Sequence, residues 1–309
     1  MRLDDMVGRR GVLALGGMAA LETANAQARR MTPEIGILVA TTYTSGTVQA
    51  RLDEAKAHGL ECVQMSMACA GLPDMPDVIP AGMAEAFRRE TAGRGLRMAS
   101  VQGTFNMCHP DAAQRQLGLR RLRVLAEAFP GLPIHICTGT RNETSMWRRH
   151  PENGSAGAWR DMAACVREAA EIAREHKCVL AFEPEVNNVV DSARKARRLM
   201  DEVGSPYLKV TMDPANIFPA GTLPRMREMI EEAFALVGKD IALAHAKDLD
   251  RDGDAGHLAA GQGKLDYGLY LRLLRANGFS GALLLHGLTR TQVPVCVAFL
   301  RGELGRVGG

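Results

Sequence analysis

Short apolar runs alternate with longer amphipathic stretches from residue 34 to the end of the chain. A brief apolar run bounded by turn residues is typical of a strand buried on both faces, whereas apolar positions at helical spacing predict a helix. The pattern predicts eight strands, over 34–40, 61–67, 96–102, 133–137, 178–183, 207–213, 241–245 and 281–286. It predicts a helix after each strand, over about 47–58, 82–94, 111–129, 155–176, 190–203, 222–237, 266–277 and 291–303. This strict alternation predicts the α/β class and a single (β/α)8 TIM barrel.

The size and composition of the chain fit one large domain. It has 309 residues, of which 46% are hydrophobic and 24% are charged. Barrels of this length commonly fold as a single unit, so we assign residues 31–309 to one barrel. The net charge of +3 and the aromatic content of 5% disfavour a nucleic-acid partner, because such partners select basic and aromatic surfaces.

The N-terminal segment, residues 1–28, differs from the rest of the chain. Arg9 and Arg10 precede a short apolar run, Gly11–Leu21, which is followed by the small-residue stretch Ala24–Ala28. This order is typical of a signal peptide, and the paired arginines resemble a twin-arginine export signal. The sequence therefore predicts a periplasmic protein without a stable membrane span, since the run is too short to cross a bilayer permanently. An Ala-rich N-terminus of a cytoplasmic protein is the alternative, and an acidic residue inside the segment favours it.

The cysteines do not predict a disulfide framework. Their number is odd, and no two of them form a Cys-x-x-Cys pair. Most lie in apolar strand or helix patterns, where a free cysteine behaves as a small buried hydrophobic residue. The seven are Cys62, Cys69, Cys108, Cys137, Cys165, Cys178 and Cys296.

Four predicted strands in the second half of the chain end in residue types that bind metals. The terminal side chains are Glu183, Asp213, His245 and His286, separated by 30, 32 and 41 residues. Each spacing is about one strand-helix unit, so the four side chains would meet at the carboxyl rim of the barrel. Strand alternation supports this, because it places Asp213 opposite the apolar face of its strand, which should meet the helices, and allows the other three side chains to converge with it.

Carboxylate oxygens and imidazole nitrogens suit a divalent ion such as Zn²⁺, Mn²⁺ or Co²⁺. We therefore expect Glu183, Asp213, His245 and His286 to hold a divalent metal that polarises the carbonyl and hydroxyl of a sugar. Alternative roles exist for single members of the set. Asp213 precedes Pro214 and could simply cap the next turn. His135, within an apolar strand, is expected to be a hydrogen-bonded core residue rather than a ligand.

Four motifs carry a resemblance to a known family. They are Glu-Pro-Glu at 183–185, Asp-Pro-Ala-Asn at 213–216, His-Ala-Lys-Asp at 245–248 and Gly-x-Gly-x-x-Asp-Tyr at 261–267. On these motifs, residues 34–305 resemble the xylose isomerase-like TIM-barrel superfamily of sugar phosphate isomerases and epimerases. The resemblance implies a divalent metal bound by strand-end Glu, Asp and His, with a Glu from the eighth strand as fourth ligand.

The chain departs from that pattern at two positions. His286 stands where the resemblance implies a glutamate, and Asn216 stands where several relatives have a histidine. The epimerases of the superfamily use two metal-bound glutamates, one on each face of the substrate, so His286 puts that mechanism in doubt. His286 could ligate the metal or act as the second acid or base, since imidazole titrates near neutrality.

The position of further residues after the strands predicts their roles. Glu183, His286 and Lys247 are the predicted catalytic residues, with Lys247 acting on a substrate oxygen unless it pairs with Glu185 or Asp248. The predicted substrate-binding residues are His109, Arg141, Trp147, Glu185 and Asn216.

The leading prediction is a metal-dependent isomerase or epimerase that transfers a proton next to the carbonyl of a sugar or keto-sugar. A lyase or dehydratase on a keto-sugar or cyclitol at the same site is the first alternative. A non-catalytic carbohydrate-binding barrel is the second, and a DNA-repair nuclease would need more histidines than the site supplies. The expected partner is a small sugar, unphosphorylated if the protein is exported, and the sequence leaves homo-oligomerisation open.

Overall fold

A closed parallel barrel forms the centre of the computed structural model, which describes residues 32–308. The strands are β1 (Glu34–Leu38), β2 (Cys62–Met65), β3 (Arg97–Gln102), β4 (Ile134–Cys137), β5 (Leu180–Glu183), β6 (Leu208–Met212), β7 (Ile241–Asp248), β8 (Leu258–Ala259) and β9 (Ala282–Leu285). Parallel pairing runs from β1 through β7, and β9 closes the ring between β7 and β1. The predicted single (β/α)8 barrel is confirmed.

Helices surround the barrel in the expected order. They are α1 (Val39–Thr42), α2 (Val48–Ala57), α3 (Met83–Ala92), α4 (Ala112–Ala128), α5 (Ala156–His176), α6 (Ala193–Val203), α7 (Met226–Val237), α8 (Tyr267–Ala276) and α9 (Val293–Gly308). The predicted helix 190–203 starts later than expected, because the Ser192 hydroxyl accepts a hydrogen bond from the Lys195 amide and begins α6 there.

Strand β7 is longer than the sequence pattern predicts. It continues to Asp248 because Lys247 and Asp248 pair antiparallel with Ala259 and Leu258 of the two-residue strand β8. Backbone bonds to β8 therefore extend β7 beyond the barrel rim. This ladder carries residues 249–265 as an ordered loop above the mouth of the barrel.

A layer of small and aliphatic side chains fills the barrel below the mouth. Its buried members are Cys62, Ala99, Ala181, Leu243, Ala282 and Leu284. Ala181, Leu243 and Leu284 lie two residues before Glu183, His245 and His286, so those three side chains point into the same interior one level higher. The predicted strand alternation is confirmed by this layer.

The lack of a side chain at Gly36 on β1 leaves room for Cys62 and Leu284 of this layer. A Cβ at this position would lie 2.5 Å from Cys62 Sγ and 2.8 Å from Leu284 Cδ2. We expect Gly36→Ala to lower the free energy of unfolding by about 2 kcal/mol, because the packed interior must shift to admit the methyl group. Urea denaturation measures the change. Gly302→Ala is the matched control, since no atom lies within 4 Å of its added Cβ and alanine favours helix α9; equal losses in both variants would contradict this packing.

All seven cysteines are free and buried. Burial raises the pKa of the Cys62 and Cys165 thiols to about 12, and that of the Cys108, Cys178 and Cys296 thiols to about 11. We expect a thiol reagent to label none of them in the native protein at neutral pH and all seven in denaturant. Fast labelling of any cysteine before unfolding would contradict the structure.

Two predictions concern the location of the protein: an exported N-terminal segment and the lack of a stable membrane span. The predicted signal peptide, residues 1–28, lies outside the described residues, so export stays a prediction. Among residues 32–308, none of the helices combines the length and the apolar character needed to span a bilayer.

Candidate active site

Three of the four predicted metal ligands meet at the mouth of the barrel. Glu183, Asp213 and His245 each offer a ligand atom within 4.8 Å of the others. His245 Nδ1 lies 3.2 Å from Glu183 Oε1 and 3.8 Å from Asp213 Oδ2. All three side chains are buried, because β5, β6 and β7 end side by side beneath the loops.

Asp213 divides its two oxygens between two roles. Oδ1 accepts a hydrogen bond from the Ala215 amide at 3.0 Å and caps the short turn Pro214–Asn216. Oδ2 is buried and makes no hydrogen bond, although Lys247 Nζ lies 3.3 Å away as an ion-pair partner. The capping role and a ligand role are therefore compatible, since each uses a different oxygen.

Lys247 neutralises part of the buried negative charge. The sequence offered Glu185 or Asp248 as its ion-pair partner; the structure places it on Asp213 instead. Burial works against its charge, but Asp213 and Glu183 raise the pKa of Lys247, so it stays protonated. Burial also opposes ionisation of Glu183, yet His245 and Lys247 hold the pKa of that carboxyl well below its usual range.

Asn216 fixes the orientation of Glu183. Its side-chain nitrogen donates to Glu183 Oε1 at 2.7 Å, and its side-chain oxygen accepts from the Gly256 amide at 2.8 Å. Asn216 thus ties the carboxylate to the loop that follows β7. Glu185 also faces this region, and burial together with the charge of Glu183 raises the pKa of Glu185 to about 8.

His286 is not part of the close group of ligand atoms. It follows the end of β9, and its ring stacks on that of His245 with 5.1 Å between ring centroids and 27° between planes. Its Nδ1 is buried without a hydrogen-bond partner. Burial, with the nearby charges of Lys247 and His245, holds the pKa of His286 well below its usual range, so the ring is neutral.

His135 is closer to the site than its predicted core role implies. Its Nδ1 lies 3.0 Å from Thr211 Oγ1, as expected for a hydrogen-bonded core residue, but its Nε2 lies 3.7 Å from Glu183 Oε2. Its ring centroid is 4.9 Å from that of His245. Burial lowers the pKa of His135 to about 3, so this ring is also neutral. The sequence feature that could have predicted this proximity is strand alternation, because it points His135 on β4 inward, level with Ala181 on β5.

The side chain of Asp248 packs against the glycines of the Gly-x-Gly-x-x-Asp-Tyr motif. Its buried carboxylate accepts hydrogen bonds from the amides of Leu249, Gly261 and Leu265 at 2.8, 3.0 and 3.0 Å. A Cβ at Gly263 would lie 2.4 Å from Asp248 Oδ1, so glycine is required there. One carboxylate thus organises the whole loop of residues 249–265.

Of the predicted substrate-binding residues, Arg141 and His109 have other partners in the structure, and Trp147 is partly exposed. Arg141 Nη2 binds Asp161 at 2.6 Å, and His109 Nε2 lies 3.3 Å from the Glu143 carbonyl oxygen. Trp147 is 41% exposed. None of the described contacts joins these side chains to Glu183, Asp213 or His245, so their substrate-binding roles stay predictions.

Solved structures with this fold are similar to the chain over nearly its whole length. The 3-keto-D-glucoside 4-epimerase YcjR from E. coli is 17% identical, with a TM-score of 0.64, covering 88% of this chain and 100% of its own. A xylose isomerase-like TIM barrel protein from Mycobacterium smegmatis in complex with magnesium is 16% identical, with a TM-score of 0.64, covering 90% and 97%. A D-tagatose 3-epimerase-like protein is 13% identical, with a TM-score of 0.71, covering 89% and 98%.

At these identities the structural similarity establishes the fold alone. No curated protein matches the sequence significantly. The family model described as xylose isomerase-like TIM barrel matches residues 52–292, which is most of the chain. The chain therefore belongs to the xylose isomerase-like TIM barrel family.

Proposed function

We propose that the protein is a metal-dependent sugar isomerase or epimerase that moves a proton next to a carbonyl group. The observation that carries this proposal is the convergence of Glu183, Asp213 and His245 within 4.8 Å at the buried mouth of the barrel. Family membership and the similarity to two proteins described as epimerases or epimerase-like support the sugar class.

The residues fit a divalent cation. Two carboxylates and one imidazole provide oxygen and nitrogen ligands, and Asp213 Oδ2 has no hydrogen-bond donor of its own. Glu183, Asp213 and His245 would hold the ion, and the sequence favours Mn²⁺, Co²⁺ or Zn²⁺ while a similar structure contains magnesium. Such an ion supplies Lewis-acid polarisation of a sugar carbonyl.

Glu183 is the proposed base for the proton next to the carbonyl. Asn216 and His245 both contact its Oε1, so the carboxylate is fixed, and its lowered pKa keeps it in the ionised form that a base requires. Lys247, held protonated beside Asp213, would donate a hydrogen bond to the substrate oxygen that gains negative charge.

His286 is the proposed second acid or base. It is neutral, adjoins His245 and has an unpartnered nitrogen, so it can either accept a proton from the substrate or pass one on. This arrangement would replace the second glutamate implied by the family resemblance. An imidazole at this position also fits a lyase, in which it would first take the proton from the carbon next to the carbonyl and then give that proton to the departing hydroxyl group.

Incubation with candidate sugars and keto-sugars in D2O tests this proposal. We expect deuterium to enter the product at the carbon next to the carbonyl, with the mass otherwise unchanged, because isomerisation and epimerisation exchange that proton with the site. Mass spectrometry and NMR measure the label and the product. Loss of water from the product would identify the lyase instead, and sugar binding without any exchange or turnover would contradict an enzymatic role.

A further inference from the structure

A cavity of about 540 Å³ is lined in part by His286, and Glu183 and Asp213 are not among its described lining residues. The ends of β9 and β1 and the loop at β8 form its walls. Its lining residues are Thr41, His257, Leu258, Ala259, Gln262, His286, Gly287, Leu288, Thr289 and Gln292. We call this cavity the outer compartment; His286 lines it, and Ala259 and Gly287 of its lining adjoin Lys247.

Among the described residues, the walls of the outer compartment are polar and contain no arginine, lysine, aspartate or glutamate. Its polar side chains are hydroxyls, amides and imidazoles, each of which can both donate and accept a hydrogen bond. Leu258 and Leu288 add apolar surface. Hydroxyl groups match such partners, and the weakly polar face of a sugar ring matches the leucines.

The nearby cations pair with other groups, although Arg251 Nη1 also lies 2.8 Å from His257 Nε2 of the cavity lining. Arg290, which follows Thr289, forms an ion pair with Glu54 on α2. Arg251 binds Asp250 and His257, and Lys264 Nζ donates to the Asp250 carbonyl oxygen at 2.9 Å. The cavity lining itself contains no arginine or lysine. Phosphate groups are usually held by such cations, so the compartment lacks the side chains that select a phosphorylated sugar.

The lack of arginine and lysine in this lining bears on the substrate because of where the compartment lies in the barrel. Barrels that bind phosphate frequently hold it between the last two strand-helix loops and a helix N-terminus. Here the Gln292 side-chain oxygen occupies the start of that final helical segment, accepting from the Thr289 amide and hydroxyl, both at 2.8 Å. Gln292 Nε2 in turn donates to Gln262 Oε1 at 2.9 Å, so the two amides join the β9 loop to the β8 loop.

We propose that the outer compartment binds a neutral, hydroxyl-rich part of the substrate, so the substrate is an uncharged sugar or glycoside and not a sugar phosphate. This inference rests on the proposed function, because it names the substrate class for the same barrel mouth. Gln262 and Gln292 form the polar rim that contacts the hydroxyl groups, and His286, itself a proposed catalytic residue, lines the same compartment.

Isothermal titration with maltose and glucose 6-phosphate as probes tests the proposal. We expect the wild-type protein to bind maltose at least about tenfold more tightly than glucose 6-phosphate, and Gln262→Ala to weaken maltose binding about fivefold by removing hydrogen-bonding groups. Gln262→Arg should shift the preference towards glucose 6-phosphate by adding a cation. Gln116→Ala is the control, since Gln116 contacts Glu168 on the outer helices.

Equal affinity for the two probes, no maltose binding, or an unchanged maltose affinity in Gln262→Ala would overturn the proposal. These outcomes are separable from failure of the proposed function, which the proton-exchange experiment measures. Selective maltose binding without proton exchange in any sugar would leave the outer compartment intact and remove the isomerase proposal. Proton exchange only with phosphorylated sugars would support the isomerase proposal and overturn the proposal for the outer compartment.

Discussion

Glu183→Gln should reduce turnover of the sugar substrate about 10³-fold, because it replaces the proposed base with an amide that cannot accept the proton. The fold should be retained, since glutamine has nearly the same size and Asn216 can still hydrogen-bond to its oxygen. Steady-state kinetics with the best substrate, together with circular dichroism, measure both effects. The loss should appear in kcat, because Glu183 acts on the proton and not on the remote part of the sugar.

Glu171→Gln is the matched control for this change. Glu171 lies on α5, where its exposed side chain pairs with Arg174, so its substitution should leave turnover unchanged. If Glu183→Gln kept more than about a tenth of the wild-type kcat, Glu183 would not be the base.

Lys247→Met should destabilise the metal-free protein by about 3 kcal/mol, because it leaves the buried Asp213 carboxylate without its cationic partner. A divalent cation should reduce this loss, since it supplies positive charge to the same carboxylate. The free energy of unfolding, measured in chelator and again with excess Mn²⁺, gives the comparison.

Lys209→Met tests whether the effect is specific to the site. Lys209 lies on β6 and pairs with Asp240 at 2.6 Å, but both side chains are partly exposed. Its loss should cost under about 1 kcal/mol and should not respond to Mn²⁺. The account would be contradicted if Lys247→Met and Lys209→Met lost the same stability, or if Mn²⁺ left the Lys247→Met deficit unchanged.

The barrel could be predicted because the sequence pattern that produces it repeats along the chain. Apolar strands covered by helices repeat at regular intervals, and this pattern alone gives the order and the number of the barrel strands. The two-residue strand β8 and the extension of β7 to Asp248 could not be predicted. They depend on pairing between residues 247–248 and 258–259, and on the Asp248 carboxylate, which accepts hydrogen bonds from the adjacent Leu249 amide and from the distant amides of Gly261 and Leu265.

The site was predictable to the extent that strand direction decides it. Alternation placed Glu183, Asp213 and His245 at one rim, and the structure brings them together. The same rule also places His135 inward, but its apolar neighbours favoured a core role. Loop partners follow no such rule: Arg141 is bound to Asp161, twenty residues along the chain, and nothing in the local sequence predicts that pairing.

Asn216, which stands where several relatives have a histidine, has a structural role in this protein. The sequence suggested a substrate-binding residue, whereas the structure shows its amide between Glu183 and the Gly256 backbone. Residue 216 therefore positions a carboxylate and a loop at the same time.

The most direct test of the account is the binding of Mn²⁺ to chelator-treated protein, measured by isothermal titration for the wild type, Asp213→Asn and Glu171→Gln. The account predicts one high-affinity ion per chain in the wild type and in Glu171→Gln, and at least about tenfold weaker binding in Asp213→Asn, because a ligand oxygen has lost its charge. Undiminished binding in Asp213→Asn, or no specific binding in the wild type, would contradict a metal site at Glu183, Asp213 and His245.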